Sequence, residues 1–204
     1  MTKTLELLMA EVLSARLCHE LISPIGAVGN GLELLEDEEG GGFAQDALAL
    51  IVVSARQAAS RLQFYRLAYG STTPLGEEMV RAAVNGLFEG SKMSVDWPAD
   101  VIPEPLRKLA CNLLLLATET VPRGGRLALR CDAPGGLTVT ATGEGARTAP
   151  HIVAILDGSA ADDAPTPRSV QTVFTMALAQ AHGTALAVDD SVGGQVRLAV
   201  RRVT

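Results

Sequence analysis

The sequence predicts an α+β protein in which an N-terminal helical hairpin precedes a C-terminal α/β sandwich. From residue 4 to residue 69, apolar side chains recur every three or four positions, as on one face of a helix. Glycine and proline interrupt this pattern at Gly40–Gly42 and at "GSTTP". Beyond Pro74, shorter helical stretches alternate with runs in which every second residue is apolar, as in a strand. We therefore assign residues 1–73 to the hairpin and residues 74–204 to the sandwich.

The hairpin is predicted from two long helices, one from about Thr4 to Glu38 and one from about Phe43 to Tyr69. Gly40–Gly42 suit the reversal between them, because glycine adopts the left-handed conformations that tight turns need. Apolar or small side chains mark the buried face of the first helix at Leu5, Leu8, Val12, Ala15, Cys18, Leu21, Ile25, Val28, Leu32 and Leu35.

The length of these helices predicts a homodimer. Helices of roughly 27 to 35 residues span about 40 to 50 Å at 1.5 Å per residue. A lone hairpin of that length cannot bury the apolar stripes of both helices, so a second hairpin is needed to cover them. We therefore expect two chains to form a four-helix bundle.

The second half is predicted to place its helices on one face of a sheet. Helices are expected near Glu77–Phe88, Glu104–Thr120 and Ser169–Ala181. The strands are expected in "KMSVDW", in the pair "RLALRCD" and "GLTVTAT", and in "TALAVDD" and "GQVRLAV".

Composition narrows the classes of function. The chain has 204 residues, 48% of them hydrophobic, and a formal net charge of -6, which argues against nonspecific binding to nucleic acid or anionic membranes. No run of about 18 apolar residues offers a membrane span, and the N-terminus is unlike a signal peptide, so we expect a cytoplasmic protein. Cys18, Cys111 and Cys131 show no disulfide or zinc spacing and are interpreted as small core residues.

A polar strip interrupts the first helix around His19, in "HELISPIGAVGNG". Helical spacing places Arg16, Ser23, Gly26 and Asn30 on one strip of the helix together with His19. This strip borders the apolar face of the helix. One turn after the histidine, a proline lacks the N–H of a helical hydrogen bond and is expected to kink or loosen the helix.

The residues around His19 suit the chemistry of a phosphoryl acceptor. Such a histidine needs one neutral ring nitrogen directed at solvent and a hydrogen-bond acceptor on the other nitrogen. Glu20 is a candidate for that acceptor, and a group from the bundle interior is the alternative. Ser23 is placed to orient the ring or a water molecule. A lone histidine is usually just a solvated helix residue. His-Glu followed by a polar residue and proline favours a functional role for His19 instead.

"HELISP" resembles the phospho-acceptor box of the dimerisation and histidine-phosphotransfer domain of sensor histidine kinases. That box reads His-Glu, two variable residues, Thr, Asn or Ser, and then Pro. The resemblance implies that His19 is the phosphorylated residue, Glu20 its acidic neighbour and Ser23 the polar residue four positions on. Pro24 then matches the proline of the box.

The second half resembles the ATPase domain of the same kinases, but its nucleotide-binding boxes are degenerate. Asn112 matches the first asparagine of the N-box, whereas Leu116 stands where a second asparagine would bind Mg²⁺. Ala141 replaces the aspartate that reads adenine, although Gly143 and Gly145 of that box remain. The phosphate loop falls on "PRSVQT", which has no glycine.

Together these features resemble the ChpT-type histidine phosphotransferases, with "SPIGAVGNGLELL" and "RLQFYRLAYG" as further matches. The resemblance implies a bacterial phosphorelay in which His19 receives phosphate from the receiver domain of a CckA-like hybrid kinase. His19 then passes it to CtrA-like and CpdR-like response regulators. No cofactor or metal is expected on this chain, since the receiver supplies Mg²⁺. The alternatives are an ATP-dependent histidine kinase with divergent boxes and a non-catalytic scaffold that binds response regulators.

Other sequence features point less clearly to function. Arg123, Arg126 and Arg130 either contact an acidic receiver surface or form a solvated face. His151 and His182 show no ligand or triad spacing and are interpreted as structural. The glycines near His19 either leave room for a receiver loop or allow close helix packing inside the bundle.

Overall fold

Two long helices form the N-terminal hairpin: α1 (Leu5–Glu36) and α2 (Ala44–Tyr69). The computed structural model describes residues 5–36, 44–70, 74–132, 135–160 and 164–202. The predicted reversal at Gly40–Gly42 and the predicted domain boundary near residue 73 therefore lie outside the described residues. No helix of the described ranges combines the length and the apolar character that a membrane span requires.

α1 and α2 run antiparallel and approach each other closely at Gly31. A Cβ atom at Gly31 would lie 2.6 Å from Ile51 Cγ1 and 3.3 Å from the Ala47 carbonyl oxygen. Nearer the other end of the hairpin, Glu20 lies against Arg61. The hairpin inferred from helical periodicity is thus confirmed, and a side chain at Gly31 would have to push α2 aside.

The C-terminal part contains α3 (Glu77–Phe88), β1 (Met93–Asp96), α4 (Glu104–Thr118), β2 (Gly125–Asp132), β3 (Gly136–Thr142), α5 (Pro150–Leu156), α6 (Val170–Ala181), β4 (Thr184–Asp189) and β5 (Gln195–Arg202). Its sheet has the order β1-β2-β3-β5-β4, in which β1 pairs parallel to β2 and the other neighbours are antiparallel. The predicted α+β class is confirmed. Helix α5 was not predicted, because its seven residues, the first of them a proline, are too few to show a helical period.

Helix α4 is the centre of the core. Every residue from Leu109 to Ala117 is buried, as expected for a helix enclosed by other elements. Burial raises the pKa of the Cys111 thiol to about 12, so this cysteine is the small core residue that was predicted. The same interpretation is wrong for Cys18, which is exposed on the side of α1 that also carries the exposed Ile22 and Ile25.

The last turns of α2 belong to the same core. Phe64, Tyr65, Leu67 and Ala68 are buried in one cluster with the apolar side chains of α4 and the sheet. The hairpin therefore does not merely precede the C-terminal part in sequence. Its base is packed into that part, which fixes the direction in which the hairpin projects.

A buried chain of hydrogen bonds joins the base of the hairpin to α4 and α6. The Tyr69 hydroxyl donates to Gln171 Oε1 at 2.6 Å, and Gln171 Nε2 donates to Asn112 Oδ1 at 3.0 Å. Asn112 Nδ2 then donates to the Ala68 carbonyl at 2.8 Å. Burial raises the pKa of Tyr69 to about 12, so its hydroxyl keeps the proton that it donates. Each polar group buried here is thereby satisfied by another element of the fold.

Replacing Asn112 by alanine tests this connection. Asn112→Ala leaves Gln171 Nε2 and the Ala68 carbonyl without these partners inside the core, so we expect the free energy of unfolding to fall by about 2 to 4 kcal/mol. Urea unfolding measures the change. The control Asn85→Ala removes an exposed asparagine of α3 and should change stability by less than about 0.5 kcal/mol. Equal effects of the two variants would contradict a structural role for the network.

Candidate functional site

His19 lies on an exposed strip of α1. His19, Ser23, Gly26 and Asn30 are all exposed, as helical spacing predicted. A Cβ atom added to Gly26 would meet nothing within 4 Å. Within the part of the chain that the structure describes, no hydrogen bond or ion pair engages the His19 ring. The ring is thus accessible to a second macromolecule, and the surface beside it combines the bare Gly26 with the exposed side chain of Ile22.

Arg16 was predicted to share this strip, but its side chain turns inward. Its Nη2 atom forms a 2.8 Å ion pair with Glu119 Oε1, and its Nη1 atom donates to the Pro167 carbonyl at 3.3 Å. Both charged side chains are largely buried, with 14% and 17% of their surface exposed. Glu119 also lies 3.2 Å from His151 Nε2, in keeping with a structural role for that histidine. Arg16 therefore anchors α1 to the end of α4 and is not free to serve the His19 strip.

Glu20 is half-buried and directed towards α2. Its carboxylate lies 3.6 Å from Arg61 Nη1, and the same nitrogen donates to the Glu20 main-chain carbonyl at 2.8 Å. The partner of Glu20 in this structure is thus an arginine that sequence reasoning did not single out. The role predicted for Glu20 as the acceptor for the second nitrogen of His19 stays a prediction.

A cleft of about 340 Å³ separates the hairpin from the C-terminal part beside Glu20. Arg16, Glu20 and Arg61 line it from the hairpin, and Lys92 and Arg123 line it from the opposite side. All three of these arginines are already paired with carboxylates: Arg16 with Glu119, Arg61 with Glu20, and Arg123 with Glu144. Charged side chains from both parts therefore meet at the cleft, while His19 lies on the outer, exposed side of α1.

The positions that resemble nucleotide-binding boxes are filled by packed side chains. Leu116 is fully buried in α4, and Ala141 is fully buried in β3. Ser169 of the segment "PRSVQT" forms hydrogen bonds with Thr166, just before the segment, and α6 begins at Val170. Gln171 from this segment is buried against Asn112. The part of this segment from Val170 onward is thus helical, in agreement with the helix predicted from about Ser169.

The three arginines of β2 and the preceding turn do not act as one cluster. Arg126 forms an ion pair with Asp96 of β1, and Arg123 forms one with Glu144. Arg130 donates instead to a main-chain carbonyl of its own strand. Arg126 and Arg130 share the exposed face of β2, as the period of a strand predicts.

The chain is similar in sequence and in fold to known proteins. Residues 77–192 match the family described as the histidine phosphotransferase C-terminal domain. The protein phosphotransferase ChpT of Brucella abortus (strain 2308) is 34% identical over 189 residues, which cover 88% of this chain and 89% of that protein. A solved structure described as a bacterial phosphotransferase, at 1.7 Å, is 31% identical with a TM-score of 0.84 and covers 98% of both chains.

The two environments of the α1 glycines predict opposite effects of alanine. Gly26→Ala should raise the free energy of unfolding by about 0.5 to 1 kcal/mol, because alanine favours the helix and the added methyl group meets open space. Gly31→Ala should lower it by about 1 kcal/mol, since overpacking against Ile51 outweighs that gain. Urea unfolding of both variants measures this, and changes of the same sign would contradict the packing described.

Proposed function

Because the chain belongs to the histidine phosphotransferase family, we propose that His19 carries a phosphoryl group between receiver domains of a bacterial phosphorelay. The donor is the receiver aspartate of a CckA-like hybrid histidine kinase, and the acceptors are the aspartates of CtrA-like and CpdR-like response regulators, all in the cytoplasm. The observation that carries this proposal is the exposed His19 ring, beside which Gly26 offers no side chain.

In the proposed reaction, a neutral ring nitrogen of His19 attacks the phosphorus of the receiver's aspartyl phosphate. The bond between phosphorus and the aspartyl oxygen breaks, and its electrons stay on the released carboxylate. The other ring nitrogen keeps its proton, and this N–H donates a hydrogen bond to an acceptor, for which Glu20 is the candidate. The second transfer reverses these steps with the aspartate of a response regulator.

Two features of α1 support close approach of the receiver. In-line transfer requires the reacting atoms to come within about 3 to 3.5 Å, so both surfaces must fit closely. Gly26 offers no side chain beside His19, and Ser23 presents an exposed hydroxyl one turn away. Mg²⁺ is supplied by the receiver and neutralises the charge of the transferring group, so this chain contributes the nucleophile and its surroundings.

We propose further that the phosphoryl group does not come from ATP bound to this chain. Asn112 matches the first asparagine of the N-box, and its amide oxygen accepts a hydrogen bond from Gln171 inside the core. Leu116 and Ala141, at the other two positions, have no side-chain oxygen for a metal or an adenine amino group.

We propose that two copies of the chain form the four-helix bundle. Most of the large apolar side chains that are exposed in the described residues lie on α1 and α2. On α2 the exposed positions Leu48, Val52, Ala55, Ala59 and Leu62 follow alternating steps of four and three, the spacing of a helix–helix seam. A second hairpin of the same kind would cover this stripe, whereas the C-terminal part packs on the opposite side.

The phosphotransfer proposal predicts that label moves from a phosphorylated receiver to His19. The wild-type chain, mixed with a receiver phosphorylated on aspartate, should gain an acid-labile, base-stable adduct, and His19→Ala should gain none. His182→Ala, which removes another exposed histidine, should be labelled like the wild type. Gel electrophoresis with mass-spectrometric mapping measures the label, and its persistence on His19→Ala would overturn the assignment.

Two further measurements distinguish the proposed function from its two rivals. A histidine kinase would become labelled by Mg-ATP alone, whereas we expect no label without the receiver. A scaffold would bind receivers and sustain signalling when His19 is replaced by glutamine, whereas we expect His19→Gln to bind receivers but to stop the relay. Either result would replace the proposed function by the corresponding rival.

The homodimer is tested by placing charge on the α2 stripe. Val52→Glu should halve the mass measured by light scattering, because a buried carboxylate in the seam is strongly unfavourable. Val153→Glu, at a similarly exposed valine of α5, should leave the wild-type mass unchanged. A wild-type chain that is monomeric at micromolar concentration would contradict the proposal.

A further inference from the structure

Pro24 leaves one carbonyl of α1 without its usual donor. In an α-helix the carbonyl of each residue accepts from the N–H four residues later, and for Glu20 that residue is Pro24, which has no N–H. α1 nevertheless continues from Leu5 to Glu36 through the proline. The missing hydrogen bond lies in the turn that follows His19. A half-buried carbonyl in this position needs a donor from another element.

Arg61 of α2 supplies that donor. Its Nη1 atom lies 2.8 Å from the Glu20 carbonyl oxygen, and the same nitrogen is 3.6 Å from the Glu20 carboxylate. One guanidinium therefore holds both the main chain and the side chain of the residue next to His19. Hydrogen bonds from a charged donor are about twice as strong as those between neutral groups, so this contact is a strong replacement for the lost N–H.

We propose that Arg61 is a positioning residue for phosphotransfer, which replaces the Pro24 N–H and fixes the His19–Glu20 backbone against α2. This inference rests on the proposed role of His19. Without Arg61, the turn between Glu20 and Pro24 would have neither its helical hydrogen bond nor a substitute. The ring of His19 would then sample more orientations, and small misplacements of a nucleophile strongly slow group transfer.

Arg61, which positions the backbone beside His19, lies apart from the surface on which a receiver would dock. Arg61 lines the cleft towards the C-terminal part, whereas His19 and Ser23 lie on the exposed strip of α1. A receiver that docks on the strip therefore reaches His19 without needing the Arg61 guanidinium. Loss of Arg61 should change the rate of transfer within the complex and leave the affinity for the receiver nearly unchanged.

A mutant cycle between Arg61 and Pro24 tests the proposal. Arg61→Ala should slow transfer from a saturating phosphorylated receiver by about tenfold, the equivalent of one lost hydrogen bond to a charged donor. The half-saturating receiver concentration should change by less than about twofold, since docking is unaffected. In the double variant Pro24→Ala/Arg61→Ala, the N–H of the new alanine can donate to the Glu20 carbonyl, so the rate should return to within about threefold of Pro24→Ala alone.

Two further variants control the cycle. Arg61→Lys keeps a charged donor on α2 and should fall between the wild type and Arg61→Ala. Arg56→Ala removes an exposed arginine of the same helix and should transfer at the wild-type rate. Hydrogen exchange of the amides from residue 19 to residue 27 gives a readout without phosphate. Exchange should accelerate in Arg61→Ala and slow again in the double variant.

The outcomes distinguish this inference from the proposed function. If the double variant is as slow as Arg61→Ala, or if Arg61→Ala changes only the half-saturating concentration, Arg61 does not act through the Glu20 carbonyl. If the wild type is never labelled on His19, the proposed function fails, while hydrogen exchange still decides whether Arg61 replaces the missing N–H. Exchange that is unchanged in Arg61→Ala would overturn the replacement itself.

Discussion

The hydrogen bonds that connect Tyr69, Gln171 and Asn112 are the constraint on which the rest of the molecule depends. They lie where the base of the hairpin enters the core of the C-terminal part, and a polar group left unpaired there would be costly. With the base fixed in this way, α1 has one side that faces Glu119 and another that faces solvent. The exposure of His19 follows from that fixed direction.

Much of the fold could be predicted from local pattern. The predicted helices and strands end within two residues of the observed ones wherever those ends are described, because long helices and alternating strands carry a clear period. Helix α5 escaped prediction, since two turns give too few apolar positions to define a face. The order of the five strands could not be predicted, because it depends on contacts between elements that are far apart in the sequence.

The candidate site was predictable only where it depends on one helix. Spacing along α1 placed His19, Ser23 and Gly26 on a common strip, and their exposure agrees. It also placed Arg16 there, but this long side chain reaches Glu119, which lies 103 positions away in sequence. Arg61 was missed for the same reason. The proline signalled an unpaired carbonyl, but no local pattern revealed which residue of α2 would donate to it.

The position of Asn112 has a consequence for any attempt to re-engineer this domain. Its side-chain amide binds both Ala68 and Gln171, so using it for a ligand would break the connection between the hairpin and helices α4 and α6. Side chains with oxygen atoms at Leu116 and Ala141 would also place polar groups where both residues are fully enclosed. Changes at surface positions alone would therefore not introduce these oxygen atoms, because both positions lie within the core.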